Sequence, residues 1–461
     1  MAIYTELMEH QKVMVKFALG KDYVGLFAEY GVGKSLVALA YIDKLKIHKT
    51  LIVSTKLSIQ STWPIEIKKH TNLKYVSLIG SKSQKLASLF YGIRISNMED
   101  GHYHKGYKTP IIYLINYEGI KNIITDLVAI KFDLIVLDES TKIKSHKTQR
   151  TKLLWALGAT IKKKIIMTGF PITEALYDVY SQIKFLDNGK TFGKSYYKFV
   201  DDYFTKVGMK YVAKRKAIKQ LLIKIKPFCI RITNANLKLP PKTYKKIILE
   251  PTYQQAKALK ELNENFQLAL GKVNIDTQYI FALIAKSLQI CDGFVQDEKY
   301  LETITTKKDA ALLDLLDEID IVKNKVLIWC SFRYSVLKIF KYLSSTGHNI
   351  LTLTGSTPDV NLVVNKFQNS KKHNVLIATQ KKAATSITLT NCRYAIYYSN
   401  MWSYDDRYNS EARIYRKGSE KHSNIVYTDF VTKGTIEEKV LLCLQTKKNL
   451  VEMLKKEFLS L

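Results

Sequence analysis

The sequence predicts an α/β chain, with two parallel sheets and a mostly helical stretch between them. Three observations carry that expectation. Short apolar runs of strand length, bounded by turn residues, recur in the first part of the chain and again in the last, with helix-like segments between successive runs. From about 188 to 305 the pattern is instead mostly helical and rich in Lys and Tyr, interrupted by Leu239-Pro240-Pro241, through which no helix would run. Finally, the run Tyr23-Val24-Gly25-Leu26-Phe27 feeds a glycine-rich turn straight into a segment with Leu36, Val37, Leu39, Ala40 and Leu45 at helical spacing.

In order, strands are expected over 23–27, 50–54, 111–115, 133–137 and 164–167, which make a first sheet within residues 1–187. The helical insert follows over 188–305. A second sheet within 306–461 takes the runs 325–330, 350–353, 374–378, 394–398 and 424–427, and has no glycine-rich loop of its own. Ile436, Val440, Leu441, Leu444, Leu450 and Leu454, apolar among charges, read as closing helices.

Composition narrows the function classes. The 461 residues carry 72 Lys and Arg against 41 Asp and Glu, a net charge of +31 spread along the whole chain. A folded surface with a positive field takes a polyanion as its natural partner, because neutralising phosphates releases counterions. The plain alternative is a lysine-rich coding bias. The five cysteines, Cys229, Cys291, Cys330, Cys392 and Cys443, are odd in number and never spaced as CxxC, which argues against a disulfide framework or a zinc site. The chain shows neither a signal-type N-terminus nor about 18 apolar residues in a row, so a soluble, cytoplasmic protein without a membrane role is expected. Gly101-His102-Tyr103-His104-Lys105-Gly106 reads as an exposed loop, since two histidines alone make a poor metal site.

The chemistry concentrates at Ala28-Glu29-Tyr30-Gly31-Val32-Gly33-Lys34-Ser35. A strand–turn–helix unit of this kind points a nest of backbone N–H groups, at the positive end of a helix dipole, toward one point. The amides of Gly31, Val32, Gly33, Lys34 and Ser35 would cradle phosphates. Lys34 would supply a mobile cation, and the Ser35 hydroxyl a magnesium ligand. Directly after the strand 133–137 come Asp138 and Glu139, at the end where open α/β sheets place their ligands. Asp138 suits magnesium held through water, and Glu139 suits orienting or deprotonating an attacking water.

Asp138-Glu139-Ser140-Thr141 followed by Lys142-Ile143-Lys144 resembles the DExx box of superfamily two helicases, specifically the Snf/Swi-type DNA translocases. Leu7-Met8-Glu9-His10-Gln11 is similar to that family's entry segment, and Leu51-Ile52-Val53-Ser54-Thr55 with Trp63 and Glu66 to its next motif. Ile115-Asn116-Tyr117-Glu118 and Met167-Thr168-Gly169-Phe170-Pro171-Ile172 match further motifs in order, as does Leu239-Pro240-Pro241-Lys242. In the second half, Val375-Leu376-Ile377-Ala378-Thr379 through Leu389-Thr390 resembles motif five. Glu411-Ala412-Arg413-Ile414-Tyr415-Arg416-Lys417-Gly418 resembles motif six, and Gly434-Thr435-Ile436-Glu437-Glu438-Lys439 the terminal signature.

The resemblance implies two RecA-like parallel-sheet lobes with a helical insert between them, using ATP and Mg2+. It implies that Gln11 reads adenine, that Thr168 and Gly169 couple hydrolysis to nucleic-acid binding, and that Arg413 and Arg416 reach ATP as arginine fingers. Backbone contacts to nucleic acid fall on Thr55, Asn116, Thr354 or Gly355, and Thr379. The expected partner is DNA, duplex rather than single-stranded, with RNA as an alternative, and the protein is expected to act as a monomer. Its brevity points to a compact viral or mobile-element protein. The basic run Lys210, Lys214, Arg215, Lys216, Lys219, Lys224 and Lys226 is either a wall for nucleic acid or a solvated face. Trp63 and Trp402 either stack on bases or fill a core or lobe interface. Ala28, Phe170, Glu174, Ser386 and Asn409 depart from the family pattern, but none replaces Lys34, Asp138, Glu139, Arg413 or Arg416. Two rivals stand beside the translocase: a strand-separating DNA or RNA helicase, and a nucleic-acid-binding scaffold without catalysis.

Overall fold

The computed structural model describes residues 3–29, 31–96, 98–99, 102–103, 109–169, 171–172, 176–207, 210–233, 237, 239–270, 277–297, 300–380 and 387–446. Tyr30, Phe170, Glu174, Ser386, Leu450 and Leu454, and residues 101 and 104–106 of the histidine loop, lie outside them. The chain divides into two compact units, Met1–Leu237 and Lys238–Met453.

The first unit is built on seven strands: β1 (Tyr23–Ala28), β2 (Lys49–Ser54), β3 (Lys74–Leu78), β4 (Ile111–Asn116), β5 (Leu134–Asp138), β6 (Lys163–Thr168) and β7 (Cys229–Ile232). They pair in the order β7-β1-β6-β5-β2-β4-β3, all parallel. Successive residues of a strand point to opposite faces. Phe27, Leu51, Val53, Ile135, Leu137 and Ile166 accordingly fill one apolar layer, and Leu26, Ile52, Val136, Ile165 and Met167 the other. A sheet buried on both faces explains why the central strands read as unbroken apolar runs.

The second unit has six strands: β8 (Lys242–Leu249), β9 (Val326–Cys330), β10 (Ile350–Leu353), β11 (Val375–Thr379), β12 (Tyr394–Tyr397) and β13 (Ile425–Thr432). Their order is β8-β13-β12-β9-β11-β10, again all parallel. The expected α/β class with two parallel-sheet lobes is therefore the observed one.

The stretch 188–305 is shared between the units rather than standing as one body. Helices occupy Tyr196–Tyr203, Ala217–Ile225, Tyr253–Leu270 and Thr277–Cys291. It also supplies β7 to the first sheet, β8 to the second, and the antiparallel hairpins Phe204–Val207 with Lys210–Ala213 and Phe294–Gln296 with Leu301–Thr303. Phe199, Tyr203, Phe204, Leu221 and Ile225 pack into the first unit's core. Cys229, Cys291, Cys330 and Cys392 are buried and Cys443 is half-buried. Among the described residues no helix is long and apolar enough to cross a membrane.

Candidate nucleotide site and nucleic-acid edge

The phosphate loop joins β1 to helix α2 (Lys34–Lys44), whose N-cap is Gly33. Gly31 and Gly33 both take left-handed backbone, with φ of 87° and 77°. At Gly33 space is a second constraint, because a Cβ would lie 2.3 Å from Gln11 Nε2. Glycine is thus favoured there by its left-handed backbone, and any side chain would also have to push Gln11 aside.

Gln11 belongs to helix α1 (Glu9–Ala18) and is buried. Its Oε1 accepts the Met8 N–H at 2.9 Å, and its Nε2 donates to the Val32 carbonyl at 3.1 Å. The His10 ring also meets that carbonyl, at 3.0 Å. The residue expected at the base of the nucleotide is therefore held against the phosphate loop. Lys34 donates to the carbonyls of Ala28 at 2.8 Å and Glu29 at 3.4 Å, curling back over the loop it belongs to. Left-handed glycines at a helix N-terminus, a lysine over the loop and a half-buried Ser35 fit a magnesium-bound polyphosphate.

Asp138 ends β5. Its Oδ2 accepts from the Ser54 hydroxyl at 2.8 Å and from the Trp63 indole at 3.0 Å, while the Tyr117 hydroxyl donates to its backbone carbonyl at 2.9 Å. Trp63 is wholly buried, which settles its role: it lies in the core and holds the acid. Burial, reinforced by the charges of Asp138 and Glu139, pushes the Tyr117 hydroxyl well above its ordinary pKa, so it stays a donor. Glu139 has φ of 57° and ψ of 54°. A left-handed non-glycine costs about 1–3 kcal/mol, a strain that clusters at functional sites.

In the second unit, Arg413 and Arg416 follow helix α3 (Tyr404–Glu411) in a turn rather than on a helix. Both donate to the Ile387 carbonyl, at 3.1 and 3.2 Å. Arg413 also bonds the Asn409 carbonyl at 2.8 Å, and Arg416 the Thr388 hydroxyl at 2.7 Å. The residues resembling motif six are thus tied to those ending the motif-five stretch. Glu411, at the end of α3, accepts from Tyr244 at 2.7 Å, Lys242 at 3.1 Å and Arg407 at 3.0 Å. Burial alone would raise its carboxyl, but Lys242 and Arg407 outweigh that and hold it at about 2.

The candidate nucleic-acid residues sit on strand ends. Thr55 follows β2 and Asn116 ends β4, adjacent strands of the first sheet. Gly355 lies just past β10 and Thr379 ends β11, adjacent strands of the second. Lys214, Arg215, Lys216, Lys219, Lys224 and Lys226 are all exposed.

Sequence reasoning did not assign Ser54 to Asp138, nor a role to Arg231 or Gln182. Ser54 lies within a quoted motif but meets Asp138 from 84 residues away, and no motif marks Arg231 or Gln182.

Fold and phosphate-loop site together define a helicase-like ATPase. More narrowly, the chain belongs to the SNF2-related family: the SNF2-related domain matches residues 10–306 and the helicase conserved C-terminal domain residues 307–418. It is similar to the DNA repair and recombination protein RDH54 of Saccharomyces cerevisiae, 23% identical over 423 residues, 85% of this chain and 45% of the yeast protein. The putative ATP-dependent helicase/translocase YwqA of Bacillus subtilis is 25% identical over 440 residues, 92% of this chain and 45% of YwqA. The chain thus spans less than half the length of these relatives. Among solved structures, the Sulfolobus solfataricus SWI2/SNF2 ATPase core in complex with dsDNA is 22% identical, with a TM-score of 0.44, covering 97% of this chain and 92% of that one. A likeness that loose carries no weight for function.

Proposed function

We propose that the chain hydrolyses ATP and uses the hydrolysis to translocate along DNA, duplex DNA in particular, in replication, recombination or repair. The observation that carries this reading is the loop of left-handed glycines and Lys34 against Gln11, in a sheet whose β5 ends on Asp138, with Glu139 next in the chain. Support for DNA comes from the +31 charge and from the likeness to a yeast DNA repair and recombination protein.

In this reading Gln11 holds the adenine, while the loop amides and Lys34 bind the β and γ phosphates. Ser35, and Asp138 through water, would hold a magnesium ion, which would neutralise phosphate charge. Glu139 orients the attacking water and accepts its proton. Arg413 and Arg416 offset the charge that gathers on the γ-phosphate, an effect worth about 10³ to 10⁵ in rate. Thr55, Asn116, Gly355 and Thr379 contact the nucleic-acid backbone, which positions the strand without reading sequence. Thr168 and Gly169 link the two events.

The test is the ATPase rate without nucleic acid and with single-stranded DNA, duplex DNA and RNA at one salt concentration, beside strand displacement on tailed and blunt duplexes. Stimulation strongest with duplex, and no displacement, is expected. Displacement would make it a strand-separating helicase, and a rate indifferent to all nucleic acids would remove the motor.

A further inference from the structure

We infer that Arg231 and Gln182 are positioning residues: they clamp the loop after β6 between the phosphate loop and the acidic loop, so that nucleotide occupancy is felt at Gly169 and Pro171. The inference rests on the nucleotide-binding reading above and names a device within it.

Sheet order sets up the geometry. β6 lies between β1, which ends in the phosphate loop, and β5, which ends in Asp138. The loop leaving β6 therefore emerges with a nucleotide-site loop on either side, and a buried polar bridge reaches it from each.

On the first side, Arg231 stands on the edge strand β7, in register with Phe27 of β1. Its guanidinium donates to Glu29 Oε1 at 3.2 Å and also to the Gly169 carbonyl. The side chains of Arg231 and Glu29 are 2% and 8% exposed. Glu29 is itself part of the phosphate-loop segment, and its N–H bonds the Ile232 carbonyl at 3.1 Å. One planar, multi-donor cation thus joins the phosphate loop to the loop after β6, a geometry that lysine's single ammonium does not reproduce.

On the other side, the Ser140 hydroxyl, next to Glu139, donates to Gln182 Oε1 at 2.7 Å. The Gln182 amide donates in turn to the carbonyls of Pro171 at 2.6 Å and Asp178 at 3.1 Å. Ser140 and Gln182 are fully buried. Such networks are stiff when complete, since losing one member strands the others without solvent. A shift of either nucleotide-site loop must then move Gly169 and Pro171, or break a buried bond.

The test uses the full chain carrying Arg231→Met, Arg231→Lys or Gln182→Leu. Backbone hydrogen exchange is followed with and without a non-hydrolysable ATP analogue, beside kcat, KM and the ratio of DNA-stimulated to DNA-free turnover. In the wild type the analogue should slow exchange in both the phosphate loop and the segment 163–172. In Arg231→Met the first protection should persist and the second vanish, with kcat falling about tenfold or more, KM for ATP moving less than about threefold, and the stimulation ratio dropping toward one. Arg231→Lys, which keeps the charge but loses the fork, should fall between. Gln182→Leu reads the same link from the acidic side should Arg231→Met not fold.

Protection of both segments in the variants, or a loss of stability with the stimulation ratio intact, would overturn the clamp and leave the nucleotide site standing. An analogue without effect anywhere on the wild-type chain would instead overturn the nucleotide reading, and the clamp with it.

Discussion

The Asp138 carboxylate, in the first unit, is held by the hydroxyl of Ser54 and the indole of Trp63; the Glu411 carboxylate, in the second, is held by Lys242, Arg407 and Tyr244. The same contrast separates the lysines. Lys34 donates to the carbonyls of Ala28 and Glu29, whereas Lys308, wholly buried, sits between Asp292 at 3.1 Å and Glu437 at 2.5 Å. Burial alone would lower the Lys308 ammonium, but Glu437 and Asp292 beside it hold it above its ordinary range. The half-buried Asp138 and Lys34 thus bond neutral groups, whereas the buried Glu411 and Lys308 bond opposite charges. An ion met by counter-ions in the interior is committed to holding the fold together. The first unit has a buried ion pair too, Glu29–Arg231, and it lies where the phosphate loop is anchored.

The contrast breaks most readily at Glu139. Asparagine tolerates left-handed backbone, so Glu139→Asn should leave the melting temperature unchanged or slightly raised while turnover falls by about 10² to 10⁴, as for loss of a general base. A melting temperature that falls in step with activity would make Glu139 a structural residue and blur the distinction between the units.

Next comes Lys308→Met, which strands Asp292 and Glu437 in the core and should cost the second unit on the order of 3–5 kcal/mol in chemical denaturation. Hydrogen exchange in β1 and β5 should be unchanged.

The smallest effect is one of pH. Because Glu411 titrates at about 2 in the folded unit against an ordinary 4.5, its ionised form contributes stability above about pH 4.5 that drains away as the pH falls toward 2. The full difference is on the order of 3 kcal/mol. Glu411→Gln should flatten that part of the stability profile, and an unchanged acid limb would show that the three donors around it do not hold an ion.

The sequence made the interior legible and the margins much less so. The expected runs 50–54, 111–115, 133–137 and 164–167 each lie within one residue of an observed strand at both ends, because strands covered on both faces are apolar throughout. Within the two parallel sheets, the strands that escaped, β3, β7 and β8, are all at sheet edges. An edge has one hydrogen-bonded neighbour and an open flank, so Lys-Thr-Tyr-Lys-Lys-Ile-Ile-Leu can form β8 while looking like part of a polar helix. The fourth edge, β10, was visible because it reads Ile-Leu-Thr-Leu. The same logic governs the site. Gly31, Gly33, Lys34, Asp138 and Glu139 sit at or shortly past the ends of their strands and announce themselves by spacing. Ser54, Trp63, Gln182 and Arg231 reach the same loops only because the sheet order brings distant segments together, which no local window contains.

The most direct test of the nucleotide site is phosphate release by purified wild-type chain and its Lys34→Ala variant, each with and without duplex DNA. The account predicts ATP hydrolysis by the wild type that rises with DNA, and a variant at least about a hundredfold slower in both conditions, given the loss of a cation from phosphoryl transfer. Equal release from the two chains would contradict it.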